Sequence, residues 1–343
     1  MTQCRIAGGR LDRPPPPGAR ATFTAGFGRR FAIFGDAEEE FDWHRPFARD
    51  NVSTTAIASL PVANRRFVER GLVPTYLVDW PVVANRPSAD AIARMVAEGE
   101  CEVGTQLHPW VNPPFAEEVC NRNSYAGNLP PALERAKLFA LTDRIEQATG
   151  VRPIVYRAGR YGIGASTHRF LEEAGYRMDV SIRSLYDYSA QSGPDFSAHP
   201  TWPWWVSDTL LEVPLTTAFT GRLARRPGLY RFHALRSALS RAQLVSRISL
   251  TPEGTPLRDA LDAIRRLLDD GTALFSLSFH TPSVEIGHTP YVRDQADLTA
   301  FWRWWDGVFD LFAAAGVTAA RGSEILAAAR FDGAAPGRTA GTG

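Results

Sequence analysis

Lysine is nearly absent from this 343-residue sequence: Lys137 stands alone, and every other one of its 38 basic side chains besides that residue is an arginine. We read the bias as codon usage in a GC-rich genome. Cysteine is also scarce. Cys4, Cys101 and Cys120 are an odd number without metal-type spacing, which excludes a disulfide framework and a cysteine zinc site. Neither sign of charge dominates, because 38 basic residues face 37 acidic ones for a net +1. Without a concentrated basic surface, nucleic acid and anionic membranes are excluded as partners. No segment reaches the ~18 apolar residues of a membrane span, and residues 1–17 contain no apolar stretch of signal-peptide length. The expected location is cytoplasmic.

What is present is a large apolar fraction, 44% of the chain against 22% charged, enough for a sizeable core and too much for disorder. Short apolar runs at 30–35, 75–83, 101–108, 153–157, 178–182, 210–215 and 273–280 read as seven strands. Between them, amphipathic stretches at 54–70, 89–97, 131–149, 166–174, 257–268 and 297–314 read as helices, with Ser88, Ser166 and Thr255 as caps or first-turn residues. Strand and helix in alternation imply parallel strands with helical crossovers. The expected fold is α/β, a distorted (β/α) barrel of about seven parallel strands spanning 29–330. Residues 193–254, rich in tryptophan and arginine, break the rhythm and read as a long insertion. The Pro- and Gly-rich segment 1–28 and the tail 331–343 read as loose.

In a parallel barrel the loops at the C-terminal ends of the strands converge on one mouth. Each candidate strand delivers a polar group there: Asp36, Glu38, Glu40 and Asp42 from the first, then Asp79, His108, Arg157, Asp179, Glu212 and His280. Seven such ends point to a shared site. The carboxylates of Asp36, Glu38, Glu40 and Asp42 recur at period two, so an extended chain puts them on one side. A cation, or Arg157 and Arg160, would relieve their repulsion, and carboxylates with His108 are ligand types that zinc or a similar divalent ion accepts. Glu40, Asp42, His44 and His288 are further donors within reach of such a site, although His288 reads more simply as a loop-structuring residue. Trp202, Trp204 and Trp205 are either an aromatic platform for a sugar ring or core of the insertion. Arg222, Arg225, Arg226, Arg231 and Arg236 are either phosphate ligands or a solvated surface.

Five motifs, FGDAEEEFDW at 34–43, GTQLHPWVNPPF at 104–115, YRAGRYG at 156–162, GYRMDVSIR at 175–183 and FSLSFHTPSVEIGHTPYV at 275–292, occur in an order that resembles the polysaccharide deacetylase family. This is the NodB-homology family, carbohydrate esterase family 4-like, and the likeness is closest to its cytoplasmic WalW-type branch. The resemblance implies a distorted seven-stranded barrel with Asp36 as general base, Arg157 orienting that base, His280 as general acid and Asp179 supporting the histidine. It implies Glu38 and His108 as metal ligands. The family's paired metal-binding histidines fall at Gln106 and Trp110, so that set is incomplete. Arg160, Tyr161, Trp110 and Trp205 are the candidates for substrate contact. The implied function is hydrolysis of a carbon–nitrogen bond in an N-acetylated sugar or saccharide precursor, with a possible divalent metal and a small-molecule or saccharide partner. Two alternatives stay open, as does the oligomeric state: a non-catalytic carbohydrate-binding descendant, and a glycoside hydrolase using two of the carboxylates ~5–5.5 Å apart.

Overall fold

A computed structural model of the chain describes residues 9–40, 45–224 and 244–331. Seven strands form the barrel: β1 (Arg30–Ala37), β2 (Thr75–Val78), β3 (Glu102–Leu107), β4 (Val155–Ala158), β5 (Met178–Asp179), β6 (Leu211–Glu212) and β7 (Leu274–His280). They lie in the order β7-β1-β2-β3-β4-β5-β6, every neighbouring pair parallel. No ladder joins β6 to β7. Instead the chain beyond β6 closes the seam, with Thr216 N–H donating to Ser276 O at 3.1 Å and Thr216 Oγ1 accepting from Ser276 N at 2.8 Å. Leu250 N–H then donates to Thr216 O at 3.0 Å and Ser278 N–H to Leu250 O at 3.1 Å. The result is the distorted (β/α) barrel expected from the pattern.

Period two sorts the side chains of these strands into layers. Along β1, Phe31 and Ile33 face the outer helices, whereas Ala32 and Phe34 turn inward beside Leu77, Val155 and Met178. β7 repeats this, with Phe275, Leu277 and Phe279 outward and Ser276, Ser278 and His280 inward. Helix Gln295–Ala314 buries Phe301, Trp304, Trp305, Val308, Phe309 and Phe312, the spacing of a single helical face. Trp305 sits edge-on to both Phe67 at 5.4 Å and Phe279 at 5.5 Å, tying that helix to the barrel wall.

Several boundaries differ from expectation. The second strand stops at Val78 because Asp79 caps helix Trp80–Ala84, its Oδ1 accepting from Val82 N at 3.0 Å, with a proline in the first turn. Helix Arg86–Ala97 starts early because Asn85, rather than a serine, supplies the cap, and Ser88 lies in the first turn. Residues 193–254 contain barrel strand β6 and a hairpin of Thr217–Thr220 with Ser246–Ser249. Part of the leading segment is packed: Leu11 is fully buried, and Ala21–Phe23 pairs antiparallel with Ala329–Phe331. Cys4, Asp42, His44, Arg225, Arg226, Arg231, Arg236 and the tail beyond Phe331 lie outside the described residues.

The single lysine has a structural reason that codon usage does not supply. Lys137, on helix Pro131–Thr149, is completely buried, and its Nζ donates to Pro109 O at 2.9 Å and Asn112 O and pairs with Glu117 Oε1 at 3.0 Å. Three convergent acceptors suit a compact ammonium and not a planar guanidinium. The interaction pins the loop that carries Trp110. Lys137→Met therefore lowers the free energy of unfolding in urea by about 3 kcal/mol, and Lys137→Arg does not restore it. A loss below about 1 kcal/mol in either variant contradicts this role.

Candidate active site

The inward parity of four strands delivers the reactive groups to one cavity of about 350 Å³ at the C-terminal ends of the strands. Asp36 and His280 are register partners on β1 and β7, and Gln106 and Arg157 are partners on β3 and β4. Glu38 and His108 follow one step beyond their strands on the same inner face, and Trp110, Tyr125, Arg160, Tyr161 and Arg183 complete much of the wall.

Arg157 is 1% exposed and bonds Asp36 Oδ1 through Nη1, which also donates to Ser278 Oγ at 2.7 Å. Its Nε donates to Val180 O at 3.2 Å, so the guanidinium is fixed from two directions. His280 is held from the other side. Its Nδ1–H donates to Glu253 Oε2 at 2.6 Å, and Glu253 Oε1 accepts from the His280 backbone at 3.0 Å and from Ser283 Oγ at 2.6 Å. This leaves His280 Nε2 facing Asp36 Oδ2 at 3.9 Å and Glu38 Oε1 at 4.0 Å. Burial works against the imidazolium, but Glu253, with Glu38 and Asp36, holds the proton and moves its pKa up to about 10. Burial likewise pushes the Glu38 carboxyl up to about 7, against the pull of His280 and His108.

His108 forms a second histidine–carboxylate pair. Its Nδ1 lies 2.7 Å from Glu39 Oε2 and its Nε2 3.6 Å from Glu38 Oε2, with Trp110 stacked on the ring at 4.4 Å. Glu39 and Asp79 hydrogen-bond behind the ring. Burial raises Glu39 to about 8 and Asp79 well above its usual range. Gly159 lets the imidazole sit so close to β4, since a Cβ there would lie 2.1 Å from His108 Cδ2.

The structure thus gathers Asp36, Glu38, His108, Arg157 and His280, with Trp110, Arg160 and Tyr161 on the same cavity. Asp179 and Trp205 are not among its lining residues. Met178 and Val180 belong to the inner cluster, so Asp179 between them points to the opposite face, where it bonds Ser181 Oγ at 2.6 Å and shares a hydrogen bond with Glu212. Glu253, not Asp179, supports His280. Trp205 packs in the barrel interior with Phe27 and Leu211, Trp204 is 1% exposed, and Trp202 is partly buried against the core, so Trp204 and Trp205 are core residues. Glu40 is engaged by Ser53, Thr55 and His288, the latter at 3.0 Å, so it ties down a loop. No pattern in the chain pointed to Glu253, which lies in an irregular turn. Glu39 was legible as the odd member of the acidic run, facing away from Asp36 and Glu38.

The ligand set implied by the family does not fit these residues. Gln106 Nε2 donates to Glu38 Oε2 at 2.9 Å, and Trp110 lays an indole face on His108, so only Glu38 and His108 of that set have donors to offer. Two other groups, Asp36–Glu38–His280 and Glu39–Asp79–His108, bring one donor atom each to within 4.8 Å of one another. Both have a composition that divalent ions accept.

The Glu253 contact makes a pH-dependent prediction. His280 is protonated in the fold at pH values where it is neutral in the unfolded chain, so the pair stabilises fully below pH ~6.5 and loses that contribution as pH rises through about 10. In an NMR titration, Glu253→Gln brings the His280 pKa down by more than about one unit toward ~6.5. An unchanged titration in the variant would show that Glu253 does not hold the proton.

No protein-family model matches the chain, and no curated protein matches it in sequence. Among solved structures, it is similar to a polysaccharide deacetylase by provisional name from Mycobacterium smegmatis, at 15% identity over 91% of this chain and 93% of that one, with a TM-score of 0.49. A second protein of the same provisional name, from Pseudomonas aeruginosa PAO1, gives 16% identity, 91% and 94% coverage and a TM-score of 0.48. Puue allantoinase gives 16% identity, 92% and 93% coverage and a TM-score of 0.47. Likeness at this level makes no statement about chemistry, which is left to the residues of the cavity.

Proposed function

We propose that this chain is a hydrolase of carbon–nitrogen bonds of the deacetylase type, acting on a small N-acylated sugar or saccharide precursor. The observation that carries the reading is the placement of Asp36, locked to Arg157, 3.9 Å from His280 Nε2 across one cavity. Amide hydrolysis needs a base for water, positive charge near the developing oxyanion and an acid for the leaving amine. Asp36 Oδ2, the oxygen not bonded to Arg157, takes the proton from water. Arg157 keeps that carboxylate aimed. His280, protonated on both nitrogens by virtue of Glu253, delivers the proton from Nε2 to the departing nitrogen. Arg157 and the imidazolium also place positive charge beside the reacting carbonyl. The motifs that resemble the WalW-type branch contribute Asp36, Arg157 and His280, and Glu253 lies outside them.

A cavity of about 350 Å³ lies near the lower end of the range for small-molecule sites, which favours a mono- or disaccharide-sized compound over an extended polymer. Among the described residues no helix is long and apolar enough to cross a membrane. We place the enzyme in the cytoplasm, acting on a precursor rather than on finished cell-wall polymer.

The test is a screen of N-acetyl sugars for acetate release, with added Zn²⁺ and with chelator, because Glu38 and His108 hold two of the donors a divalent ion needs. Asp36→Asn and His280→Gln should each lower kcat by at least about 100-fold on the best substrate. If no sugar releases acetate under any condition, and Asp36→Asn leaves sugar affinity unchanged, the chain is instead a carbohydrate-binding descendant.

A further inference from the structure

Beyond the reacting groups, the cavity wall carries two guanidinium groups that face no acid. Arg160 lies in the turn after β4, where it and Tyr161 both adopt left-handed backbone, with φ of 55° and 60°. For non-glycine residues such a turn is unfavourable and is kept only where the surroundings enforce it. Here it lays the Arg160 guanidinium over the Tyr125 ring at 4.1 Å and the Phe47 ring at 4.9 Å. Arg183, just past β5, stands over Tyr186 at 4.0 Å.

Every hydrogen bond from these two side chains ends on a neutral oxygen. Arg160 reaches Asn121 Oδ1 at 2.9 Å, Ser124 Oγ, Gln191 Oε1 at 3.1 Å and the Asn121 carbonyl at 3.4 Å. Arg183 reaches Ser249 Oγ at 3.1 Å and Tyr188 OH at 3.3 Å. Among the described residues neither makes an ion pair, unlike Arg157 with Asp36 and His280 with Glu253 in the same cavity. The inner charges are therefore matched and the outer two are not. Tyr186 registers this excess: burial alone would raise its phenol, yet Arg183 and Arg247, the latter 3.4 Å from the ring, bring its pKa below the ordinary value. Partly buried guanidinium groups held by aromatic rings and neutral oxygens retain N–H donors in a geometry that suits a planar or tetrahedral oxyanion.

We propose that Arg183, assisted by Arg160, receives an oxyanion carried by the substrate, a carboxylate or a phosphoryl group, so that the compound bound here is an acidic sugar and not a neutral one. Calling that compound a substrate rests on the hydrolase reading above; anion selectivity does not. The test therefore begins with sugars that contain no amide to cleave.

Calorimetric titration of the wild-type protein with glucose 6-phosphate, glucuronate and glucose separates phosphoryl, carboxylate and neutral arms without turnover. One of the two anionic sugars should bind at least about tenfold more tightly than glucose, with an advantage that shrinks as salt is raised. Arg183→Gln should abolish that advantage while leaving glucose affinity unchanged, and Arg183→Lys should restore part of it. Equal binding of all three sugars, or an advantage that survives Arg183→Gln, overturns the proposal. Thermal melting checks that the variants are folded; if Arg183→Gln is not, Arg160→Gln and the salt dependence of the wild type decide. The two readings fail separately. Acidic N-acetyl sugars that bind selectively but release no acetate defeat the hydrolase and leave this inference intact, whereas hydrolysis that favours neutral N-acetyl sugars defeats this inference alone.

Discussion

The buried contact between Asp36 and Arg157 is the constraint around which the mouth of the barrel is arranged. Asp36, Glu38, Glu39, Asp79, Asp179 and Glu212 are all 3% exposed or less, and among the described residues Arg157 is the one arginine buried to that degree. One guanidinium cannot neutralise six carboxylates. Burial pushes the other five toward their neutral forms, Glu38 on the inner face included. Glu39 lies beside Asp79 and Asp179 beside Glu212, none of the four lines the cavity, and burial raises the pKa of each. Asp179 and Glu212 are direct register partners on neighbouring strands, an arrangement that like charges could not hold. Asp36, the carboxylate bonded to Arg157, faces the cavity.

The two histidines obey the same division. In each, Nδ1 meets a glutamate and Nε2 turns toward Glu38, but the glutamates differ in how they are held. Glu253 accepts four hydrogen bonds, from the His280 backbone, His280 Nδ1, Ser283 Oγ and Thr251 Oγ1, and it raises the pKa of His280. Glu39 lies against Asp79, and burial raises its own carboxyl to about 8. Two chemically identical rings within one cavity therefore suit different tasks: a proton donor on β7, and a positioned neighbour of Glu38 on β3.

Much of this was legible from pattern. All seven barrel strands lie where alternating apolar runs place them, since each must bury one face against the interior and the other against helices. The period-two spacing of Asp36 and Glu38 gave their common direction, and the same rule set Glu39 apart. Parity also argues against Asp179 as a partner of His280, because Met178 and Val180 flank it on the inner face; the motif resemblance pointed the other way, and the strand geometry prevails. Glu253 carried no periodic signal, as it lies between a hairpin and a helix where the chain follows neither a period of two nor one of 3.6. Trp204 and Trp205 could not be sorted into core or platform by composition, since a tryptophan serves both ends equally well.

Lys137 has a consequence for how the protein can be handled. As the only side-chain amine in the sequence, sealed under the loop that carries Trp110, it is shielded from acylating reagents while the fold is closed and becomes reactive when that loop lifts. Its rate of modification is then a clock for local opening next to the cavity, read at one position against a chain otherwise silent to amine chemistry along its side chains.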